Sequence, residues 1–275
     1  MINNSIFVTG GAGYVGSSLV PELLKNGYKV TVYDIMYFGN SFLPKNNPNL
    51  TIIKGDIRDI KLLENSCKQH EFFLHLACIS NDTSFALDEK LSTSINYDAF
   101  EPMVLAAKRA GIKRFIYAST SSVYGVSDKK NVTEDHELVP LTQYNKYKAM
   151  CEPILFRHQS DEFICTIIRP ATLCGYSPRC RLDLTVNILT NHAYNTGKIT
   201  VFGGEQTRPN IHIKDMSRIY IKILESEKQL VNGEIFNAGY DNMSVNEIGN
   251  SVKKVIGEDV KIERQETNDN RSYHI

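Results

Sequence analysis

The sequence predicts an α/β fold, a doubly wound parallel sheet with a smaller interleaved domain, and three observations support this. Up to about residue 170, short runs of β-branched and aromatic residues alternate with segments of helical periodicity. Such alternation is typical of a parallel sheet with helices on both faces. A glycine-rich turn follows the first predicted strand, and after Arg169-Pro170 the pattern changes to shorter elements separated by loops.

The predicted elements of the first part come from these runs. Strands are predicted at 5–9, 29–33, 50–53, 72–76, 114–119 and 163–169, and helices at 14–26, 59–69, 93–110 and 143–159. Beyond them we predict a helix at 184–196, a strand at 199–202, a helix at 215–225, a strand at 234–237, and a last helix and strand after Ser244. The segment 215–237 is expected to return to the main sheet. The main domain would then comprise 1–172 and about 211–240, and the smaller domain about 173–210 and 241–275.

Composition excludes several classes of protein. Lys plus Arg and Asp plus Glu both number 31, so the formal charge is zero and there is no basic footprint for nucleic acid or for a membrane surface. The six cysteines form no Cys-x-x-Cys pair, so we predict buried thiols and no metal site. No apolar run approaches bilayer length and no signal pattern precedes the first strand. We therefore expect a soluble cytoplasmic protein.

The glycine-rich turn predicts a dinucleotide site. Glycines at the three positions allow a tight turn, close approach of a pyrophosphate and close packing of helix on strand, and the helix N-terminus attracts phosphate. The contacts predicted here are Gly10, Gly13, Tyr14, Val15 and Gly16. Asp34 ends the second strand, where its carboxylate suits the ribose hydroxyls of NAD and would repel a 2′-phosphate. Since no Arg or Lys follows closely, we predict NAD rather than NADP in a Rossmann-type domain.

Tyr144 and Lys148 are four residues apart on a predicted helix, so both side chains lie on one face, one turn apart. The ammonium of Lys148 is expected to favour the phenolate of Tyr144 and to lower its pKa. Such a phenolate can take the proton from a sugar hydroxyl. The pair alone is weak evidence for an active site, and it becomes informative because the glycine turn lies in the same half of the chain.

Together these motifs resemble the extended short-chain dehydrogenase/reductase family, specifically its nucleotide-sugar epimerases and dehydratases. The matching pieces follow the family's order and are 9–16, Gly55-Asp56, 75–77, Asn96, 117–125, Tyr144 with Lys148, and 208–215. The resemblance implies that Tyr144 is the general base and that the Thr120 hydroxyl positions the reacting sugar oxygen. It also implies further contacts to NAD, from Asp56, Ile57, Leu76, Ala77, Asn96 and Lys148.

The resemblance further implies a nucleotide-diphosphate sugar as substrate. Its candidate contacts are Thr172, Arg179, Arg181, Asn187, Arg208 and Arg271. Thr172 stands where many members have Asn, which leaves its role open. The stretch 177–184 resembles a subgroup that includes GDP-heptose 4-dehydrogenases. The sequence stops at Ile275, where family members continue for some tens of residues, so we expect a truncated C-terminus or a missing tail.

Two serines bear on the reaction. Ser121 and Ser122 occupy the positions at which sugar-nucleotide 4,6-dehydratases carry an acidic pair. Hydroxyls are poor acids and bases at neutral pH, which argues against dehydration. The favoured reaction is C4 epimerisation; a net dehydrogenase or reductase, for example of GDP-heptose, is the alternative, and a 4,6-dehydratase or a non-catalytic dinucleotide-binding protein is disfavoured.

A homodimer is the last prediction. The helices at 93–110 and 143–159 carry apolar residues on more than one face. In the family the equivalent helices pair across a two-fold axis into a four-helix bundle. The alternative is that these faces pack only on the sheet.

Overall fold

The structure is a computed structural model that describes residues 4–127, 129, 131–267 and 272–275. The strands are β1 (Ser5–Thr9), β2 (Lys29–Asp34), β3 (Leu50–Lys54), β4 (Phe72–His75), β5 (Arg114–Ala118), β6 (Ile164–Pro170), β7 (Thr172–Cys174), β8 (Lys198–Phe202), β9 (Thr207–His212), β10 (Glu234–Ala238), β11 (Asp241–Ser244) and β12 (Lys261–Gln265). The α-helices are α1 (Tyr14–Lys25), α2 (Ile60–Cys67), α3 (Asp82–Leu87), α4 (Glu89–Thr93), α5 (Phe100–Arg109), α6 (Gln143–Arg157), α7 (Thr185–Thr196), α8 (Ile213–Glu225) and α9 (Val245–Ile256).

The main sheet has seven strands in the order β10-β6-β5-β4-β1-β2-β3. Every neighbouring pair in it is parallel, which confirms the predicted doubly wound sheet. The chain runs outward from β1 to β3 and then returns to β4 on the other side of β1. Connections therefore diverge above the carboxyl ends of β1 and β4, which is where open α/β sheets bind ligands.

Each face of this sheet has its own apolar core. Leu19 of α1 and Met216 and Tyr220 of α8 are buried on one face. On the other face the rings of Phe73 and Phe115 stack with centroids 4.7 Å apart. The parallel strands are therefore buried on both sides, which is why they read as continuous apolar runs.

The helix predicted at 93–110 is divided. α4 ends at Thr93, a π-helical turn spans Ser94–Asp98, and α5 then begins. In α5, Phe100, Met103 and Val104 are fully buried against the sheet. Their burial agrees with the alternative that these apolar faces pack only on the sheet.

The sequence did not predict short polar strands such as β9 and β11, because they have no apolar alternation.

The smaller layer is built from the remaining strands. β7, β9 and β11 form one sheet, and β8 pairs in parallel with β12. Helices α7 and α9 pack against β8 through Leu189, Ile248 and Val201. β10, by contrast, pairs with β6 in the main sheet. None of the helices within the described ranges has the length and apolar character needed to cross a membrane.

Candidate active site

The glycine turn lies directly above β1 and has no room for side chains at two of its glycines. Gly10 has φ 73°, and a Cβ there would lie 2.5 Å from the backbone nitrogen of Ala77. A Cβ on Gly16 would lie 2.2 Å from the carbonyl oxygen of Gly11. At Gly13 a Cβ would approach only the Gly10 carbonyl, at 3.2 Å, so the space over this position is open. These are the tight turn, the close packing and the open approach expected of a pyrophosphate cradle.

The first turn of α1 is suited to an anion. Gly13 is its N-cap and has no side chain to satisfy the N–H groups that follow. The first turn contains no acidic residue that would repel phosphate. Unsatisfied N–H groups and the positive end of the helix dipole therefore face the open space over Gly13.

Asp34 ends β2 beside this turn, and two backbone groups fix its carboxylate. One oxygen accepts the N–H of Ala12 at 3.1 Å and the other accepts the N–H of Met36 at 2.8 Å. The half-buried side chain keeps further acceptor capacity. This geometry suits a pair of ribose hydroxyls, which are donors.

Asp56 follows β3 and is held by a cation. Arg58 Nη2 contacts its Oδ2 at 2.5 Å, and hydrogen bonds from Arg58 hold the pKa of this carboxyl below its ordinary value. The N-cap of α2 is Asp59, whose side chain accepts the N–H of Leu62, so Asp56 does not cap this helix. Ile57 beside it is buried.

Tyr144 and Lys148 lie in the first half of α6, which begins after the N-cap Thr142. Lys148 is buried, and its Nζ donates to the carbonyl of Ala118 at 2.6 Å. The same ammonium is 4.9 Å from the ring centroid of Tyr117 and 6.0 Å from that of Tyr144. A hydrogen bond to the end of β5 therefore fixes α6 over the carboxyl edge of the sheet.

The pKa of Tyr144 is raised, whereas the neighbouring Lys148 was expected to lower it. Burial raises it well above the ordinary value, and Cys78 adds to the rise. Arg181 opposes them and favours the phenolate. Neither Cys78 nor the proximity of Arg181 to Tyr144 was visible in the sequence, because both residues lie more than thirty positions from Tyr144.

Thr120 lies two residues after the end of β5, and its Oγ1 accepts the N–H of Ser122 at 3.2 Å. This bond orients the hydroxyl and leaves its proton available for donation to a ligand. The hydroxyls of Ser121 and Ser122 lie 2.9 and 3.3 Å from the hydroxyl of Tyr273. Tyr273 is buried and was not predicted as part of this region.

A buried ion pair joins α6 to β6. Glu152 lies one turn after Lys148, and its carboxylate accepts from Arg169 at 3.1 and 2.6 Å and from the Ser119 hydroxyl at 2.6 Å. Arg169 also donates to the hydroxyl of Tyr124 at 2.8 Å. The signal that could have revealed this network is an arginine inside the apolar strand β6.

Asn96 lies in the π-helical turn, and its amide binds the loop after β4. Its Nδ2 donates to the carbonyl of Ile79 and its Oδ1 accepts the N–H of Ile79, both at 2.9 Å. Leu76 and Ala77 precede that residue in the same loop, above the glycine turn. The structure therefore brings three of the predicted cofactor contacts together, with Asn96 acting on the loop backbone.

The predicted substrate residues within the described ranges lie on β7, on β9, on α7 and in the loop between β7 and α7. Asn187 is buried, with Oδ1 accepting the N–H of Gly175 and Nδ2 donating to the Tyr14 hydroxyl and the Arg181 carbonyl. Its side chain therefore holds a loop, whereas its backbone N–H lies in the first turn of α7. Thr172 starts β7 and is half-buried.

The three predicted arginines that the structure describes also differ in position. Arg181 pairs with Asp183 at 2.5 Å and is within electrostatic reach of Tyr144. Arg179 instead stacks on Phe38, and Arg208 lies on β9. Arg271 lies outside the described residues.

No group of three or more His, Cys, Asp or Glu side chains suited to a metal ion occurs among the residues that the structure describes. The described cysteines, including Cys78, form no disulfide.

The chain is similar to one family of known proteins over most of its length. The profile of the NAD dependent epimerase/dehydratase family matches residues 6–239. The UDP-glucose 4-epimerase of Lactobacillus helveticus is 27% identical over 277 aligned positions, covering 93% of this chain and 82% of the relative. The UDP-N-acetyl-alpha-D-glucosaminuronate decarboxylase of Bacillus cytotoxicus is 29% identical, covering 93% and 81%.

A solved structure is similar over the whole chain. The UDP-N-acetylglucosamine 4-epimerase from Methanobrevibacter ruminantium M1, in complex with UDP-N-acetylmuramic acid, matches with a TM-score of 0.88 at 26% identity. The match covers 100% of this chain and 89% of that one.

Proposed function

Because this chain belongs to the NAD-dependent epimerase/dehydratase family, we propose that it is a C4 epimerase of a nucleotide-diphosphate sugar. The observation that carries the proposal is that the ammonium of Lys148, one turn after Tyr144 on α6, donates to the carbonyl of Ala118 at the end of β5, two residues before Thr120. The glycine turn lies beside them at the carboxyl end of β1, separated only by β4 in the sheet. A proton acceptor and a dinucleotide cradle therefore face the same crevice.

NAD is the cofactor of the family, and the residues present fit it. The open cradle over Gly13, the uncapped first turn of α1 and the Asp34 carboxylate would hold its pyrophosphate and adenosine ribose. Lys148 would hold the nicotinamide ribose. When bound, NAD would supply the hydride acceptor, and in its reduced form the hydride donor, for the sugar carbon.

The protein's own groups carry the proton. The Tyr144 phenolate takes the proton from the C4 hydroxyl as the hydride leaves, and the phenol returns it when the ketone is reduced. The Thr120 hydroxyl donates to the same sugar oxygen and holds it in line. Epimerisation requires in addition that the ketone present its other face before reduction.

The serines after Thr120 support epimerisation over dehydration. Ser121 is buried, and both Ser121 and Ser122 lie within hydrogen-bond distance of the Tyr273 hydroxyl. Elimination of water across C5 and C6 needs an acid and a base at these positions, and hydroxyls engaged with a tyrosine supply neither.

A UDP-sugar is the first substrate to test, since the relatives described above are named for UDP-sugars. A 4-epimerase incubated with UDP-glucose, UDP-galactose or the N-acetylated forms converts one C4 isomer into the other, as observed by NMR. A net dehydrogenase instead yields a ketone with stoichiometric NADH. GDP-heptose belongs in the same panel because the stretch 177–184 resembles GDP-heptose enzymes.

The Tyr144→Phe variant tests the assignment of the base. We expect turnover to fall by a factor of about 10² to 10⁴, the usual contribution of a general base. Tyr147→Phe is the matched control, since Tyr147 lies on the same helix and its hydroxyl contacts Thr93 at 3.4 Å. Near-wild-type turnover of Tyr144→Phe would refute the mechanism.

A further inference from the structure

The loop between β7 and α7 is fixed to the first turns of α1. The Ser177 hydroxyl donates to the carbonyl of Tyr14 at 2.7 Å and lies 2.7 Å from the hydroxyl of Ser17. The backbone N–H of Arg179 donates to the Ser17 hydroxyl at 3.1 Å. Ser17 and Ser177 are buried, so this attachment is a built contact. A segment assigned to the substrate domain thus rests on the helix that faces the pyrophosphate cradle.

Arg179 reaches from this loop to the segment that follows β2. Its guanidinium carbon lies 3.6 Å from the ring centroid of Phe38, a close cation–π contact. Phe38 comes four residues after Asp34, in a turn closed by the hydrogen bond from the Gly39 N–H to the Met36 carbonyl. Arg179 and Phe38 therefore meet on the Asp34 side of the crevice.

Electrostatics agrees with this position. Burial and the neighbouring Arg181 lower the pKa of Arg179, and Asp34 acts in the opposite direction. The Asp34 carboxylate is thus near enough to interact electrostatically with the Arg179 guanidinium. Arg181, two residues further along the loop, instead acts on Tyr144. The two neighbouring arginines therefore act on different groups, Arg179 on the Asp34 carboxylate and Arg181 on the Tyr144 phenol.

We propose that Arg179 and Phe38 form a clasp over the adenosine ribose and pyrophosphate of NAD, so that Arg179 binds the cofactor and not the sugar nucleotide. The inference rests on the proposed function in assuming that NAD occupies the glycine cradle. It replaces the expectation from the sequence that Arg179 contacts the sugar nucleotide. A cation beside the Asp34 carboxylate supplies charge to the pyrophosphate, while the half-exposed Phe38 ring covers the ribose.

The clasp connects cofactor retention to the substrate loop. The adenosine half can leave only when Arg179 separates from Phe38 or the loop detaches from Ser17. An epimerase reuses the hydride on the same molecule, so slow release of NADH suits its cycle. The loop that slows release also carries Arg181 toward Tyr144.

Release of NADH from the loaded holoenzyme tests the clasp. Bound NADH is displaced with excess NAD, and the fall in its fluorescence gives the dissociation rate. We expect Arg179→Ala and Phe38→Ala to release NADH on the order of tenfold faster than the wild type. Arg218→Ala is the matched control, because Arg218 is an exposed arginine of α8 paired with Asp215, and it should release NADH at the wild-type rate.

Binding of fragments assigns the effect to one half of the cofactor. Isothermal titration of the Arg179→Ala variant should show ADP-ribose weakened on the order of tenfold, with nicotinamide mononucleotide and UDP unchanged. If UDP weakens while ADP-ribose and NADH release do not change, Arg179 serves the substrate and the clasp is refuted. Unchanged values for all ligands also refute it. A wild type that retains NADH but makes no C4 epimer would instead refute the proposed function.

Discussion

The phenol of Tyr144 is subject to opposing influences. Burial and the Cys78 side chain raise its pKa, whereas Arg181 lowers it. In the proposed mechanism the phenolate is the reactive form, so activity should rise with pH as Tyr144 ionises, and a raised pKa moves that rise to higher pH. The raised pKa of Tyr144 also affects the free energy of unfolding. Because the pKa of Tyr144 is higher in the folded than in the unfolded state, its contribution to stability is complete below the unfolded-state pKa. That contribution is lost as pH rises through the folded-state pKa.

The Cys78→Ala variant should shift the rise of kcat/KM to lower pH, because it removes a neighbour that favours the protonated phenol. At pH values below the midpoint, the variant should therefore be more active than the wild type. The measurement is the pH profile of kcat/KM for the holoenzyme. Cys174→Ala is the control, since Cys174 is also a half-buried thiol but lies on β7 and does not act on Tyr144. An unshifted or upward-shifted profile for Cys78→Ala would contradict this account.

The sequence predicted those features of the site that depend on residues close together in the chain, and it missed those that depend on residues far apart. The glycine turn, Asp34 and the Tyr144–Lys148 pair were predicted from local spacing. The structure places them at the start of α1, at the end of β2 and on α6, as that spacing predicted. The pKa of Tyr144 depends on burial and on Cys78 and Arg181, which only the folded chain brings near it. Local spacing therefore predicted the residues of the pair but not the net direction of the pKa shift.

Helix α6 is held in place by charge as well as by apolar packing. The side chains of Glu152 and Arg169 are only 4% and 3% exposed and pair at 2.6 Å. Glu152 also accepts from Ser119, the residue before Thr120. One carboxylate thus connects the helix that carries Tyr144 and Lys148 to the ends of β5 and β6.

Glu152→Gln should lower the free energy of unfolding by about 3 kcal/mol, since it leaves the Arg169 charge buried without its counter-ion. Urea denaturation measures the change. Glu263→Gln is the control, because Glu263 pairs with Lys198 at 2.6 Å while both side chains are about half-exposed. That variant should change stability by less than about 0.5 kcal/mol. Equal effects of the two variants would show that the buried pair does not hold α6.

The elements that the sequence missed share a physical cause. β9 and β11 pair antiparallel through polar stretches such as Thr207–His212 and Asp241–Ser244, which have no apolar alternation to detect. The π-helical turn at Ser94–Asp98 lies inside a segment that reads as one helix. A single widened turn leaves helical periodicity nearly intact, so only the structure shows that it presents Asn96 to Ile79.

The two layers of the molecule meet at the crevice through long-range polar contacts. The Tyr14 hydroxyl donates to the Gly175 carbonyl at 2.7 Å, and Tyr273 brings the last described residues to Ser121. No local pattern predicts such contacts, because their partners are more than 150 residues apart. We propose the division into an NAD-binding and a sugar-nucleotide-binding domain on the separate cores of the two layers, with the candidate site between them.

The homodimer remains a proposal, and the structure narrows the surface that could form it. Phe100, Met103 and Val104 pack on the sheet, but Met150 of α6 is 44% exposed. The rings of Tyr97 and Tyr147 stack 5.0 Å apart and are half-buried near the same helix. We therefore propose that the exposed apolar side chain of Met150 on α6 lies in the self-complementary surface of a two-fold dimer.

Light scattering tests this pairing. The wild type should have twice the mass of one chain, and Met150→Asp should give a single chain, because a charge in an apolar interface must be desolvated without a partner. Val255→Asp is the control, since Val255 is 81% exposed on α9, away from α6, and that variant should remain dimeric. A wild type with the mass of one chain in dilute solution would refute the dimer. Dissociation by Val255→Asp and not by Met150→Asp would move the interface from α6 to α9.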